Sequence, residues 1–353
     1  MKNKVTTYLF MILLLGISLL GIMVPDKEIS FSERRKLAKF PKFELSNEYI
    51  NKLEKYLLDQ MPIRDDLRKV KAGYNYYLLN KSDNNGYYKE NEYIFKNNYP
   101  ISNRDVNNFI NKTNNIKNMF SINNKIYFLP IPEKNYYSGK GHLNLDYDKL
   151  YNKLSTEFDN TIDIRDDLNI NSYYKTDSHW KQETLEPVIK TLSNYLDFNY
   201  DSVNYKENNF NDFYGVFYAS SGLGKDSEKL KFLTNDVIDK ATVRYLENDT
   251  LKTIYNKANL YGLDPYNVFL DGPSSFIEIT NNNIDNAKEL VIFRDSFGSS
   301  IAPLLINYYH KITVIDNRYI NSSNINNLIK FDDQEILFIY STLLINSSST
   351  LKG

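Results

Sequence analysis

Glu289-Leu290-Val291-Ile292-Phe293-Arg294-Asp295-Ser296-Phe297-Gly298-Ser299-Ser300 is the stretch on which the fold turns. Its first five residues have the composition of a strand buried on both faces. From Ser300 to Tyr309 the chain reads as an apolar helix. Strand, turn of small residues and helix together place Ser296 at the carboxyl end of a strand, beneath a helix N-terminus. Open parallel sheets put their sites there. The unbonded N–H groups at a helix start suit a developing oxyanion. Helix capping is the structural alternative for a serine here, but Ser299 or Ser300 can cap, which leaves Ser296 free.

The same rhythm continues outward. Lys125 to Ile131, Thr161 to Ile164, Lys311 to Ile315 and Glu335 to Tyr340 read as strands. Helices are expected at 145–158 and 182–196. Alternating strands and helices predict an α/β fold, a parallel sheet covered on both faces. Residues 200–285 break the rhythm and read as an insertion. Upstream, Ile50, Leu53, Leu57 and Leu58, then Ile63, Leu67, Val70 and Tyr74, recur at helical spacing, broken by Pro62. Asn84-Asn85-Gly86 signals a hairpin, and a further helix is expected over 102–119. Residues 47–120 are thus a helical N-terminal part of a domain running from 47 to 353.

The first 25 residues read as an address. Lys2 and Lys4 precede the uncharged, mostly apolar stretch 8–24, which Pro25 closes. Seventeen such residues lie at the short end of a membrane span. No small-x-small cleavage site follows, so a single-pass signal anchor is expected, with the domain outside the cell. A cleaved signal peptide and a buried core helix are the alternatives. Residues 26–46 read as a juxtamembrane linker.

The chain has no cysteine, which excludes a thiol nucleophile and a disulfide framework. A formal net charge of −1 carries no footprint for nucleic acid. Only three histidines are available as a neutral-pH base. His310 ends an apolar helix and reads as structural; His142 sits in a loop, Ser138 to His142, that reads as surface. His179 lies in Lys175-Thr176-Asp177-Ser178-His179-Trp180. A carboxylate two residues before a histidine in a turning loop can orient the imidazole toward a nucleophile. A loop histidine bonded to Asp177 for structure alone is the other reading. No His or Glu cluster accompanies the pair, so no metal site and no cofactor are expected.

Thr176 to Trp180 (TDSHW) followed by Phe293 to Leu305 (FRDSFGSSIAPLL) resembles the DHHW family of bacterial surface proteins, with Ser178 in place of the first histidine. Three more blocks agree: Ser32 to Pro41 followed by Asp59 to Asp65, Asp212 to Gly215, and Val314 to Tyr319. The family is similar to the alginate O-acetyltransferase proteins, whose fold is SGNH-hydrolase-like with a permuted motif order. The resemblance implies a three-layer sandwich in which Ser296 is the nucleophile, His179 its base and Asp177 the orienting acid. It implies oxyanion donors at Ser296, Gly298 and Gly272, where Pro273 stands in or near the place of the family's asparagine. Substrate contacts are expected from Trp180, Arg294, Arg318 and Tyr319. The implied activity is O-acetylation of an extracellular or cell-wall polysaccharide through an acyl-enzyme, with an integral-membrane acyltransferase as donor partner. An acetylesterase with the same residues, or a non-catalytic polysaccharide-binding or assembly protein, are the alternatives.

Overall fold

The structure, a computed structural model, describes residues 2–30, 33–139, 141–224, 226–247, 249–284 and 288–352. Ser32 of the N-terminal block and Lys140 beside His142 fall outside them. Seven strands form one sheet: β1 (Ile126–Ile131), β2 (Thr242–Tyr245), β3 (Thr250–Lys252), β4 (Phe276–Thr280), β5 (Glu289–Arg294), β6 (Lys311–Ile315) and β7 (Glu335–Ser341). The larger helices are α1 (Lys2–Met23), α2 (Asn47–Asp59), α3 (Arg64–Gly73), α4 (Asn103–Lys117), α5 (Tyr147–Glu157), α6 (Glu186–Leu192) and α7 (Gly298–Leu305).

Spatial order is β1-β7-β5-β6-β4-β2-β3. The four strands β1, β7, β5 and β6 run parallel, with Ile292 opposite both Val314 and Leu337. Alternation along β5 explains the continuous apolar run. Leu290 and Ile292 join a core with Val188, Leu192, Ile301 and Leu305 from α6 and α7. Val291 and Phe293 face the other way, into a core with Phe109 and Ile116 of α4 and Leu150 and Leu154 of α5. A strand buried on both faces must be apolar at every position.

The sheet is mixed rather than wholly parallel, because β4, β2 and β3 pair antiparallel at its far side. All three come from 200–285, so that region extends the sheet as well as interrupting the strand–helix rhythm. Thr161 to Ile164 is not a strand. It crosses the β1 edge with a single bridge, Thr161 to Phe128, and buries Ile162 and Ile164. The helix expected over 182–196 is a 3-10 turn at Gln182–Thr184 followed by the seven-residue α6, with a proline in its first turn.

Residues 26–46 are not an open linker. Ile29–Ser30 pairs antiparallel with Arg35–Lys36, making a hairpin. Arg35 forks onto Asp59 at 2.8 and 2.6 Å, and Asp59 also accepts from the Ala38 N–H at 2.9 Å. That fork, the largest influence on Asp59, holds its carboxyl down to about 2. Glu33 pairs with both Arg64 and Arg68 of α3.

Candidate active site

Asp177, Ser178 and His179 sit at the tip of a turn closed by a bridge between Tyr173 and Trp180. Three groups shape it from outside. Glu228 accepts from the N–H of Lys175 and of Thr176, both at 2.6 Å. Lys134, fully buried, donates to the carbonyls of Tyr174, Lys175 and Asp177 at 2.9, 3.1 and 2.7 Å. Phe217 and Tyr218, at the start of the short helix Val216–Ser221, donate to the Thr176 carbonyl at 2.9 and 3.2 Å. Gly215 precedes that helix and lies against the turn's own backbone. A Cβ there would lie 2.2 Å from the Thr176 carbonyl and 2.4 Å from the Asp177 nitrogen.

His179 Nδ1 lies 2.6 Å from Asp177 Oδ1, and His179 Nε2 lies 2.6 Å from Ser296 Oγ. The second carboxylate oxygen accepts from the Val216 N–H at 2.7 Å and faces Arg34 Nη2 at 3.5 Å. Burial works against the Asp177 charge, but His179, Arg34 and the Val216 N–H together hold its carboxyl well below the ordinary range. The Tyr266 ring lies flat on the imidazole, 3.8 Å away and 11° from parallel. Its hydroxyl donates to Ser300 Oγ at 3.0 Å, which also accepts from Trp180 Nε1 at 2.8 Å.

Ser296 follows β5 in a turn tied by Asp295, whose carboxylate accepts from the N–H of Phe297 at 3.0 Å and of Ser341 at 2.9 Å. The Ser296 N–H donates to no protein group among the described residues. The other two expected oxyanion donors are already engaged. Gly298 N–H is bonded to the Asp295 carbonyl at 3.1 Å and Gly272 N–H to the Phe269 carbonyl at 3.2 Å. Each closes a tight turn, which is the reason it faces its own chain.

The expected substrate residues divide. Trp180 has no exposed surface and its ring N–H is taken by Ser300, so it supports the site from within the core and offers no face to a sugar. Arg294 is likewise buried, between Asp316 at 3.4 Å and the Gly272 carbonyl at 3.4 Å, and so holds the 270–272 turn. Arg318 forks onto Asp316 at 2.9 and 2.6 Å, leaving its edge partly exposed beside the exposed Tyr319. Among the described residues no cluster suited to a metal occurs.

No family model and no curated protein matches the sequence. Solved structures do match. A DHHW family protein from Eubacterium siraeum superposes with a TM-score of 0.61 at 19% identity, over 76% of this chain and 97% of its own. The chain shares the fold of that DHHW protein. Bacillus cereus PatB1, solved with a sulfonyl adduct, gives 0.58 at 16% identity, over 73% and 95%. On the DHHW fold, two residues that contact the site were not read as such from the sequence. Arg34 lies inside the Ser32 to Pro41 block and Tyr266 follows Pro265, but neither has a local partner that marks a role. Both reach the site only across the fold.

Proposed function

We propose that the protein is a serine-dependent O-acyltransferase acting on an extracellular or cell-wall polysaccharide. The observation that carries this reading is the unbroken hydrogen-bonded line from buried Asp177 through His179 to Ser296. A serine hydroxyl is a poor nucleophile until a base takes its proton. His179 Nε2 takes the Ser296 proton as Oγ bonds to the acyl carbon of the donor. The oxyanion so formed meets the free Ser296 N–H. Collapse breaks the bond to the leaving group, which receives the proton from His179, and leaves acyl-Ser296. A sugar hydroxyl then gives its proton to the same nitrogen as it attacks, and Ser296 is restored when Oγ takes that proton back. Asp177, ionised throughout, fixes the tautomer with Nδ1 as donor and stabilises the imidazolium.

The permuted SGNH-like arrangement and the polysaccharide acceptor follow from the motif resemblance. So does an integral-membrane acyltransferase as the source of the acyl group. The apolar α1 is long enough to span a bilayer and supports a signal anchor with the domain outside.

The test is acetate release from a small acetyl ester by the full chain in detergent, with and without oligosaccharide acceptor. Acetylated acceptor, lost in Ser296→Ala and His179→Ala, supports transfer. Acetate without acetylated acceptor makes the protein an esterase. Folded protein that forms no acyl-serine with any donor overturns the catalytic reading and leaves a binding role.

A further inference from the structure

α3 is amphipathic, but it is mounted the wrong way round for a soluble protein. The polar side faces the body. Arg64 and Arg68 pair with Glu33, Arg68 also donates to the Ala219 carbonyl at 3.0 Å, and Ala72 packs at the small surface of Gly222. On the next turn Tyr76 donates to the Lys89 carbonyl at 2.8 Å. These positions, 64, 68, 72 and 76, repeat every four residues and define one face. The apolar set, Ile63, Leu67 and Val70 and then Tyr74, Tyr77 and Leu78 on the π-helical turn Tyr74–Leu78 that continues α3, follows the opposite face and is exposed throughout. α2 has a half-buried side of Tyr49, Leu53 and Tyr56, with Tyr49 on Phe43 and Tyr56 on Phe40, yet it too leaves Ile50, Leu57 and Leu58 open, with Leu57 60% accessible.

Helices of this length form in water chiefly by burying an apolar face. In α3 the buried side is held by ion pairs and hydrogen bonds, so its apolar stripe, and the open one of α2 beside it, need another cover. Soluble monomers rarely leave so much contiguous apolar surface bare. The position of α1 says what the cover is. Val5 to Gly21 carries no charge, none of it is buried, and its Gly21 lies at Pro62, two residues before α3. The open stripes thus begin where a membrane-spanning helix would leave the bilayer. The aromatics Tyr74 and Tyr77 belong to the residue class that favours the lipid–water boundary.

We propose that the outer face of α2 and α3 lies in the interface of a lipid bilayer, as a monotopic platform continuing α1. The residues that carry it are Leu57, Val70 and Leu78, and their partner is the acyl–headgroup boundary. The proposal is independent of the chemistry at Ser296.

Because the chain has no cysteine, single probes can be placed at will. Leu57→Cys, Val70→Cys and Leu78→Cys, each in the full chain, are labelled with an environment-sensitive fluorophore and reconstituted into vesicles of phosphatidylcholine and phosphatidylglycerol. Ile122→Cys, 99% exposed on the loop after α4, is the aqueous reference. Expected are blue-shifted emission and quenching by doxyl-labelled lipid of about twofold or more at the three helix positions, with iodide reaching only the reference. Each variant must keep the parent thermal midpoint, which exposed positions permit. Probes at all three positions that iodide quenches freely and doxyl lipid does not would overturn the proposal. Protection that arises only in native membranes would overturn it too, and make the cover an integral membrane protein.

Discussion

At the residue scale, the site depends on charges that arrive from distant parts of the chain. Arg34 bridges Asp177 at 3.5 Å and Asp264 at 3.0 Å and donates to the Tyr214 carbonyl, from a backbone in the left-handed region at φ 52°. A non-glycine residue there costs about 1–3 kcal/mol, offset by the Glu33 and Arg35 pairs on either side. Arg34→Met removes the cation behind the buried carboxylate while leaving Ser296 and His179 in place. We expect kcat to fall about 10-fold, or ~1.4 kcal/mol of barrier, with little change in KM. Arg34→Lys should recover part of the loss. The rate of Ser296 labelling by a sulfonyl fluoride measures this directly, and an unchanged rate in Arg34→Met would assign the residue to the fold alone.

At the element scale, the Asp177 turn is held by buried polar groups. Lys134 and Glu133 follow β1 directly, and burial moves them in opposite directions. Burial, then the Asp295 charge, pushes Glu133 up to about 8; burial pushes Lys134 down to about 7 against nearby Glu228 and Asp177. The raised carboxyl holds a proton in the folded state that the unfolded chain releases near pH 4.3. Its stabilising contribution is therefore complete below that pH and is lost as pH rises toward 8. Lys134 acts in the other sense above pH 7, where the unfolded chain binds the extra proton. A comparison between pH 5 and 7 isolates Glu133. Glu133→Gln should flatten the fall in stability over that range, a difference of the order of 2–3 kcal/mol. Urea unfolding at each pH reads it, and parallel curves for parent and variant would show that Glu133 is already ionised when folded.

At the scale of the whole molecule, a parallel four-stranded centre carries two cores, and the N-terminal segments are attached to it by polar contacts. α1 contributes nothing to either core. Removing residues 2–25 should leave the thermal midpoint in detergent within about 2 °C of the parent, since no buried apolar area is lost. Removing residues 2–42 takes away Arg34 and unpairs the Asp59, Arg64 and Arg68 side chains. A midpoint lower by several degrees and loss of Ser296 labelling are then expected. If the longer deletion behaved like the shorter one, the hairpin would be a passive tether.

The sequence by itself determined the parallel centre of the sheet, because a strand buried on both faces must be apolar at every position, as Leu290 to Phe293 are. It also put Ser296 just after a strand, since a strand-to-helix turn is a local event, and it allowed Asp177 to orient His179 in a loop that turns back, while only the folded turn sets their side chains 2.6 Å apart. The spacing of Ile63, Leu67 and Val70 predicted a helix, which forms, and left open what its apolar side meets. Periodicity says that a helix has an apolar side, and only the tertiary structure decides whether protein covers it. Nor does periodicity show that Trp180 is enclosed, that the Gly272 and Gly298 N–H groups are taken by their own turns, or that Arg34 crosses the fold to Asp177. Those outcomes belong to contacts between residues far apart in the chain, and no local pattern encodes the partner.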